Sequence, residues 1–103
     1  MTYCIVISTC ENREKAKSLS KQILKSRLAA CVQLSEIASL YHWEGEIVED
    51  QEIKLLIKTK DQDYKKLKNL IIKVHSYQIP EIIKIPISDG YEKYLGWISD
   101  ETT

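Results

Sequence analysis

The hydrophobic pattern of the first thirty residues predicts a strand followed by a helix. Residues 3–9 are apolar almost throughout and rich in β-branched side chains, which is typical of a strand covered on both faces. Residues 12–30 place apolar side chains at helical spacing, with lysines mostly on the other side and Asn12 as a candidate N-cap. The apolar positions of this helix are Ala16, Leu19, Ile23 and Leu28.

Two long strands joined by a tight turn are predicted next. Apolar and polar residues alternate over residues 31–43, with an irregular middle, and again over residues 46–60. Gly45 can take the positive φ that a tight hairpin turn requires. In the second strand of this hairpin, Ile53, Leu55 and Ile57 share one face, and Lys54 and Lys58 take the other.

The last forty residues predict a helix, a strand and a short helix. Residues 61–75 carry apolar side chains at steps of three and four. Residues 82–88 form the fourth strand, and Pro86 within it points to an edge or an irregularity. Asp89 and Glu92 have the spacing of a capping box at the start of the final helix.

The order βαββαβ plus a C-terminal helix predicts an α+β fold. Two right-handed crossings around a central hairpin give the split, ferredoxin-like sandwich, with one mixed sheet and the helices on one face. No linker or repeat divides the chain, so residues 1–103 are expected to form a single domain.

The length of the hairpin predicts a closed homo-oligomer. About a dozen residues per strand at roughly 3.3 Å each reach about 40 Å. A domain of this length has a diameter of only about 30–35 Å, so the tip should overhang. An overhanging edge with large apolar residues invites aggregation unless another chain pairs with it.

Composition excludes several classes of protein. Fifteen basic and fifteen acidic residues give a formal net charge of zero, which provides no field for nucleic acid, and charged residues interrupt every apolar run that might insert into a membrane. The N-terminus has no signal-peptide pattern, so we expect a cytoplasmic protein. Cys4, Cys10 and Cys31 form an odd set without a CxxC motif, which argues against a disulfide framework or a tetrathiolate zinc site.

The hairpin tip holds the first candidate residues. His42 is a possible metal ligand, but strand alternation points Tyr41 and Trp43 to the opposite face and leaves Leu40 and Glu44 beside it. A single histidine with one carboxylate is an incomplete metal shell. Trp and Tyr are favoured in interface cores, so Tyr41 and Trp43 are interpreted as interface residues. The alternative is an aromatic pair that covers its own domain.

Other candidate chemistry is sparse. The return strand of the hairpin carries Glu44, Glu46, Glu49, Asp50 and Glu52, which is more often a solvated face than a cation site. Cys31 and His75 are ligands suited to copper, but only the fold could bring them together, and Cys31 at a helix-to-strand junction is more often structural. No nucleophile elbow, Walker loop or dinucleotide fingerprint is present, so no enzyme is predicted.

Five ordered blocks resemble the CutA family, the divalent-cation tolerance proteins. They read "LAACVQL" at 28–34, "SLYHWEGEI" at 39–47, "LLIKT" at 55–59, "HSYQIPEIIKIPI" at 75–87 and "YLGWI" at 94–98. The resemblance implies a ferredoxin-like domain that forms a homotrimer through its hairpins, similar to PII signalling proteins. Within the hairpin, the family's Tyr-x-Trp-x-Gly tip matches Tyr41, Trp43 and Gly45.

The resemblance also implies where ligands would bind. Copper-binding bacterial members are expected to use a cysteine at the end of the first strand and two adjacent histidines, and those positions hold Ser8 and Val74-His75 here. Only His75 matches, so any metal site would be a weaker or intersubunit one formed by His75 and Cys31. Clefts between subunits are the usual places for small ligands. The residues expected near such a cleft are Tyr41, Trp43, Glu44, His75, Tyr77 and Glu81.

Three functional hypotheses follow. The first is a trimeric protein of divalent metal tolerance that binds Cu²⁺ or Zn²⁺ weakly, with no obligatory cofactor. The second is a PII-like adaptor that binds a small molecule or an unidentified protein in the intersubunit cleft. The third, an acylphosphatase-like hydrolase, rests on fold analogy alone and lacks a loop arginine, since Arg13 and Arg27 both fall on the first predicted helix.

Overall fold

The computed structural model describes residues 1–103 as four strands and three helices. The strands are β1 (Tyr3–Cys10), β2 (Cys31–Trp43), β3 (Glu46–Lys60) and β4 (Ile83–Ile87). The helices are α1 (Arg13–Lys25), α2 (Tyr64–Val74), which follows a 3₁₀ turn at Asp61–Asp63, and α3 (Glu92–Asp100). Every predicted element is present, in the predicted order, which confirms the α+β ferredoxin-like fold.

The four strands form one sheet in the order β2-β3-β1-β4, and every neighbouring pair is antiparallel. The expectation of a mixed sheet was therefore wrong. Each βαβ crossing does join strands that run parallel, but β3 lies between β1 and β2, and β1 lies between β3 and β4. The parallel strands are thus never neighbours. β4, which contains Pro86, is an edge strand as predicted.

The core lies between one face of the sheet and helices α1 and α2. Alternation along β1 buries Cys4, Val6 and Ser8 completely, while the residues between them are only partly buried. The helix expected at residues 12–30 begins at Arg13, where the Asn12 side chain accepts a hydrogen bond from the Lys15 backbone N–H at 2.8 Å. The core residues contributed by β3 and the two helices are Ile53, Leu55, Ile57, Ala16, Leu19, Ile23, Leu67 and Ile71.

The third helix differs from the prediction in where it begins. Its N-cap is Tyr91, without a side-chain hydrogen bond, so the expected capping box at Asp89 was wrong. The Asp89 carboxylate instead accepts a hydrogen bond from the neighbouring backbone N–H of Gly90, at 2.8 Å, and makes no hydrogen bond to the first turn of the helix. α3 lies against the sheet face opposite α1 and α2, where the hydroxyl of Tyr94 accepts a hydrogen bond from Lys58 at 3.1 Å.

The hairpin of β2 and β3 overhangs the rest of the sheet. β2 pairs with β3 along its whole length, from Cys31 opposite Lys58 to Trp43 opposite Glu46. β1 reaches only as far as Ile53 on β3, so the outer part of the hairpin has no third strand beside it. The molecule measures 45 × 25 × 21 Å, and the long dimension confirms the predicted overhang.

A two-residue turn closes the hairpin, and both of its residues have positive φ. Glu44 has φ 49° and Gly45 has φ 82°, the combination of a type I′ turn, whose twist matches that of the flanking strands. The predicted role of Gly45 is confirmed. Glu44 takes a left-handed conformation that side chains other than Gly, Asn and Asp rarely adopt.

Gly45→Ala is expected to lower the free energy of unfolding by about 1–2 kcal/mol, because a Cβ is disfavoured at positive φ. A Cβ at Gly45 would meet no other atom within 4 Å, so the cost comes from the backbone alone. Gly96, inside α3, offers the matched control, because a Cβ there also has open space and φ is not positive. Gly96→Ala should raise the free energy of unfolding by about 0.5–1 kcal/mol in urea titrations; equal effects of both substitutions would contradict this explanation.

Candidate ligand cleft

The overhanging hairpin and the segment after α2 enclose a cleft of about 970 Å³. Residues 75–82 leave the helix layer and cross the end of β1 before β4 begins, so they face the outer part of the hairpin. The cleft is lined by Thr9, Glu11, Ser39, Leu40, Tyr41, Trp43, Asp50, Gln51, Glu52, Ser76, Tyr77, Gln78, Ile79 and Glu81.

The hairpin wall of the cleft presents aromatic and acidic side chains together. The hydroxyl of Tyr41 donates a hydrogen bond to the carboxylate of Asp50 on the neighbouring strand. This hydrogen bond, followed by burial, raises the pKa of Tyr41 above its ordinary value, because the neutral phenol is the donor. Tyr41 and Trp43 line the cleft and His42 does not, as strand alternation predicted.

His75 anchors the opposite wall. Its Nε2 lies 2.7 Å from the carbonyl oxygen of Thr9 at the end of β1, and its Nδ1 accepts the backbone N–H of Tyr77 at 3.0 Å. With a carbonyl on one side and an N–H on the other, Nε2 carries the ring hydrogen in the neutral imidazole. Both nitrogens are therefore engaged in holding residues 75–77 against β1.

Tyr77 and Glu52 join the two walls. The Tyr77 hydroxyl donates to Glu52 Oε2 at 2.7 Å, and Glu52 is only 8% exposed. Burial, and then the hydrogen bond to Glu52, raise the pKa of Tyr77, so the phenol stays neutral. The hydrogen bond from the Tyr77 hydroxyl holds the Glu52 carboxylate in place within the lining of the cleft.

A smaller cavity of about 160 Å³ lies beside Cys10 and His75, between α1 and the end of α2. Cys10 is 3% exposed, and its Sγ lies 3.9 Å from His75 Nε2. Burial, with the charges of Glu52 and Glu11, raises the pKa of Cys10 to about 11. The thiol is therefore protonated at neutral pH and is neither a ready nucleophile nor a ready metal ligand.

The raised pKa of Cys10 predicts alkaline destabilisation. In the unfolded chain the thiol deprotonates near pH 9.0, whereas in the folded chain it does so at about 11. The contribution of this thiol to the free energy of unfolding is therefore fully present below pH 9.0, and about 2 kcal/mol of it is lost as the pH rises to about 11. Urea titrations from pH 8 to 11 should show this slope, and Cys10→Ala should reduce it without abolishing it, because burial also raises the pKa of Cys4 to about 11. An unchanged slope in that variant would contradict the assignment.

The structure brings together some of the predicted site residues and separates others. Tyr41, Trp43, Tyr77 and Glu81 all line the one cleft. Glu44 does not, because it belongs to the turn at the hairpin tip.

The two predicted metal ligands do not meet within one chain. Cys31 pairs with Lys58, whereas His75 contacts Thr9, whose partner on β3 is Lys54, four residues away. No group of three or more histidine, cysteine, aspartate or glutamate side chains is placed to hold a metal ion. Since both nitrogens of His75 are also occupied, the residues of a single chain do not fit a tight Cu²⁺ or Zn²⁺ centre.

Sequence reasoning missed the buried carboxylate of Glu52. The acidic run on β3 was interpreted as a solvated face, but residues 75–82 cover Glu52 and leave Asp50 at the edge of the cleft. A signal was present, since Tyr41, Asp50 and Glu52 fall on the same face of the hairpin by alternation. The position of residues 75–82 over Glu52 depends on tertiary structure, and the sequence around Glu52 carries no pattern that indicates it.

The fold agrees with comparisons to known proteins. A family model described as "CutA1 divalent ion tolerance protein" matches residues 4–101 of the chain. The chain belongs to this family. The CutA1 resemblance noted in the five sequence blocks is thereby confirmed over nearly the whole chain.

Individual relatives support the assignment. The "Divalent-cation tolerance protein CutA" of Thermus thermophilus is 40% identical over 99 residues, covering 95% of this chain and 96% of the relative. The crystal structure of CutA1 from Pyrococcus horikoshii superposes with a TM-score of 0.94 at 39% identity, over 97% of this chain and 98% of that one. The name of the Thermus relative describes tolerance to divalent cations and mentions no reaction.

A third CutA structure bears on location. The protein from Archaeoglobus fulgidus, 31% identical with a TM-score of 0.94 over 96% of this chain and 97% of that one, is described as a periplasmic divalent cation tolerance protein. In the present chain no helix is long and apolar enough to cross a membrane. The cytoplasmic location remains a prediction.

Proposed function

We propose that this CutA1 chain acts as a homotrimer in tolerance to divalent cations, the role that the names of its relatives describe. The proposal includes no catalytic step and no obligatory cofactor. The observation that carries it is an uncovered apolar surface on the sheet, continuous with the overhanging hairpin.

The uncovered surface is the part of the sheet face opposite α1 and α2 that α3 does not cover. Ile5 pairs with Ile85, and Ile7 sits between Ile83 on one side and Leu56 on the other. Ile83 at the start of the edge strand β4 and Ile85 in its middle are 49% and 42% exposed. Contiguous apolar surface of this kind on a small protein marks an interface.

The hairpin extends the same face outward. By alternation Tyr41 and Trp43 share the face that carries Leu56, and they remain 38% and 39% exposed in the isolated chain. Additional copies of the chain would cover both the apolar strands and the aromatic tip. The number three is the one that the resemblance to CutA proteins implies, and three copies can close a ring in which every hairpin contacts a neighbour.

Metal binding is the weaker part of the proposal. Any direct binding of Cu²⁺ or Zn²⁺ would be loose, because His75 must give up its hydrogen bond to Thr9 before Nε2 can coordinate an ion. Cys31 is partly exposed, and in a trimer it would be available to a ligand from a neighbouring chain. His75 and Cys31 are therefore proposed as an intersubunit pair rather than as a single-chain site.

Native mass spectrometry tests both parts in one experiment, because it counts chains and bound ions together. We expect trimers that take up Cu²⁺ or Zn²⁺ only at micromolar or higher concentrations, with less uptake by His75→Ala and Cys31→Ala. Ser39→Ala, which leaves both candidate ligands intact, is the control. Trimers whose metal uptake is the same in all variants would contradict the metal part and leave the assembly unaffected.

A second candidate function rests on the cleft between the hairpin and residues 75–82. Its volume of about 970 Å³ and its mixed aromatic and polar lining are typical of small-ligand sites. In a trimer it would lie beside a neighbouring subunit, as in a PII-like sensor or adaptor. A thermal-shift screen of metabolites should find stabilisation that is lost in Tyr77→Phe; stabilisation by metal ions alone would contradict this second candidate.

A further inference from the structure

We propose that residues 101–103 form a reversible clasp that holds α3 against the sheet, and that opening of this clasp weakens the association between copies of the chain. The statement about association rests on the proposed trimer, whereas the clasp itself belongs to a single chain. Three observations support the clasp: the contacts of Thr103, the buried pair that these contacts cover, and the weak anchoring of α3 by burial.

Thr103 makes three polar contacts to residues that are distant in the sequence. Its backbone N–H donates to the carbonyl oxygen of Arg27 at 3.0 Å, and its hydroxyl donates to Asp63 Oδ1 at 2.5 Å. Its carbonyl oxygen accepts a hydrogen bond from Lys60 Nζ. Arg27 follows α1 and Asp63 precedes α2, so the clasp reaches from α3 to the helix layer on the opposite face of the sheet.

The clasp covers a buried ion pair whose hydrogen bonds are incomplete. Lys60 and Asp63 are each 4% exposed, and Lys60 Nζ lies 3.9 Å from Asp63 Oδ2. Asp63 Oδ2 is buried and accepts no hydrogen bond from any group of the chain, which is costly for a carboxylate oxygen. The two hydrogen bonds between Thr103 and this pair favour the closed clasp, whereas the cost of the unpaired oxygen favours opening to water. These opposing effects make the clasp reversible.

Burial alone anchors α3 weakly. The helix has nine residues, fewer than an isolated helix needs to be stable in water, and Gly96 in its interior lowers its helix propensity further. Ile98 is its one buried residue, and Tyr94 and Trp97 are 38% and 42% exposed. Elements with few buried apolar contacts open locally at low free energy. The contacts of the clasp are therefore a large part of what keeps α3 in place.

The position of α3 matters for association because this helix lies on the sheet face that carries the uncovered apolar surface. α3 forms one border of that surface. Complementary packing between copies requires fixed borders, and an element that must be ordered again on association reduces the affinity. The closed clasp therefore favours association, and the open clasp disfavours it.

Lysine acetylation at low extent, followed by mass spectrometry, measures opening because Lys60 is a buried amine that the clasp covers. Thr103→Val removes the hydroxyl that binds Asp63 and keeps the shape of the side chain. The loss of one hydrogen bond to a charged group should speed the acetylation of Lys60 about tenfold. The exposed Lys25 should react at the same rate in both proteins.

Thr102→Val is the matched control, because the Thr102 hydroxyl donates to the carbonyl oxygens of Ile98 and Ser99 within α3 and does not reach the buried pair. It should leave the acetylation rate of Lys60 unchanged. Amide hydrogen exchange in β1, which reports global unfolding, should also be the same in both variants. The clasp would be overturned by an unchanged Lys60 rate in Thr103→Val, or by a faster rate that accompanies faster exchange in β1.

Native mass spectrometry over a dilution series tests the effect on association. Trimers of Thr103→Val should dissociate at up to about tenfold higher concentration than those of the unchanged protein, because only the closed form associates firmly. Thr102→Val should behave like the unchanged protein. Faster acetylation of Lys60 with unchanged dissociation would overturn the control of association. Monomers of the unchanged protein at every concentration would instead contradict the proposed trimer, and the acetylation rates would still decide whether the clasp exists.

Discussion

Ile85→Glu is expected to convert the proposed trimer into folded monomers. Ile85 is 42% exposed on the apolar sheet face, so a monomer tolerates the glutamate with little loss of stability. In the assembly the same carboxylate would lie unpaired among Ile5 and the apolar side chains of other copies, and an uncompensated buried charge costs several kcal/mol for each subunit. Repeated at every interface, that cost is a large part of the roughly 8 kcal/mol that holds a complex of micromolar affinity together.

Size-exclusion chromatography with light scattering, together with circular dichroism, checks this prediction. Ile72→Glu is the matched control, because Ile72 is 55% exposed on α2, on the other side of the molecule from the apolar sheet face. It should leave the mass unchanged. Ile85→Glu that remains trimeric would show that the apolar face is not the interface, and a variant that unfolds would be distinguished by its lost circular dichroism signal.

Asp63→Asn is expected to lower the free energy of unfolding by about 3–5 kcal/mol. Asp63 and Lys60 have side chains that are each 6% exposed, with Lys60 Nζ 3.9 Å from Asp63 Oδ2. Asp63 Oδ1 also accepts the hydroxyl of Thr103 at 2.5 Å, and Lys60 donates to the carbonyl of Thr103. Removing the carboxylate charge leaves the buried ammonium of Lys60 without its counter-charge.

An exposed pair in the same region offers a control with the same substitution. Asp61 Oδ1 lies 2.8 Å from Lys84 Nζ, but these side chains are 45% and 34% exposed, so Asp61→Asn should cost less than about 1 kcal/mol. Urea titrations of both variants give the comparison. Equal losses would contradict the role assigned to burial, and the double variant Lys60→Met, Asp63→Asn should recover part of the loss because no unpaired charge remains.

Secondary structure was largely readable from the sequence, because each element has a clear period. The helical spacing of Ala16, Leu19 and Ile23 and the cap at Asn12 predicted α1, and the alternation in residues 46–60 predicted β3 with its bounds. The overhang followed from strand length alone, since a hairpin of this length cannot fit within a domain of about one hundred residues.

The errors arose where local patterns compete or where tertiary structure decides. Asp89 has the spacing of a capping residue, but its carboxylate bonds to the next backbone N–H before the helix begins. The mixed sheet was predicted because hydrophobic periodicity does not reveal which strands are neighbours in the sheet. Glu52 looked like a surface acid because nothing in its own strand indicates that Tyr77 covers it.

The candidate site was recovered only in part. The resemblance to CutA proteins pointed to Tyr41, Trp43, Tyr77 and Glu81, which do line one cleft. Ser8 occupies the position where copper-binding relatives are expected to place a thiol, and it is fully buried with a hydroxyl that makes no hydrogen bond. His75 is the one residue that matches the ligand positions implied by the resemblance, and its ring nitrogens hydrogen-bond to Thr9 on β1 and to Tyr77.

Sedimentation equilibrium on the purified protein tests the central claim most directly, because it measures mass independently of shape. We propose that other copies of the chain cover the overhanging hairpin and the apolar sheet face, and this proposal predicts a single species of three times the 12.0 kDa chain mass across micromolar concentrations. A stable 12.0 kDa monomer at these concentrations would contradict it.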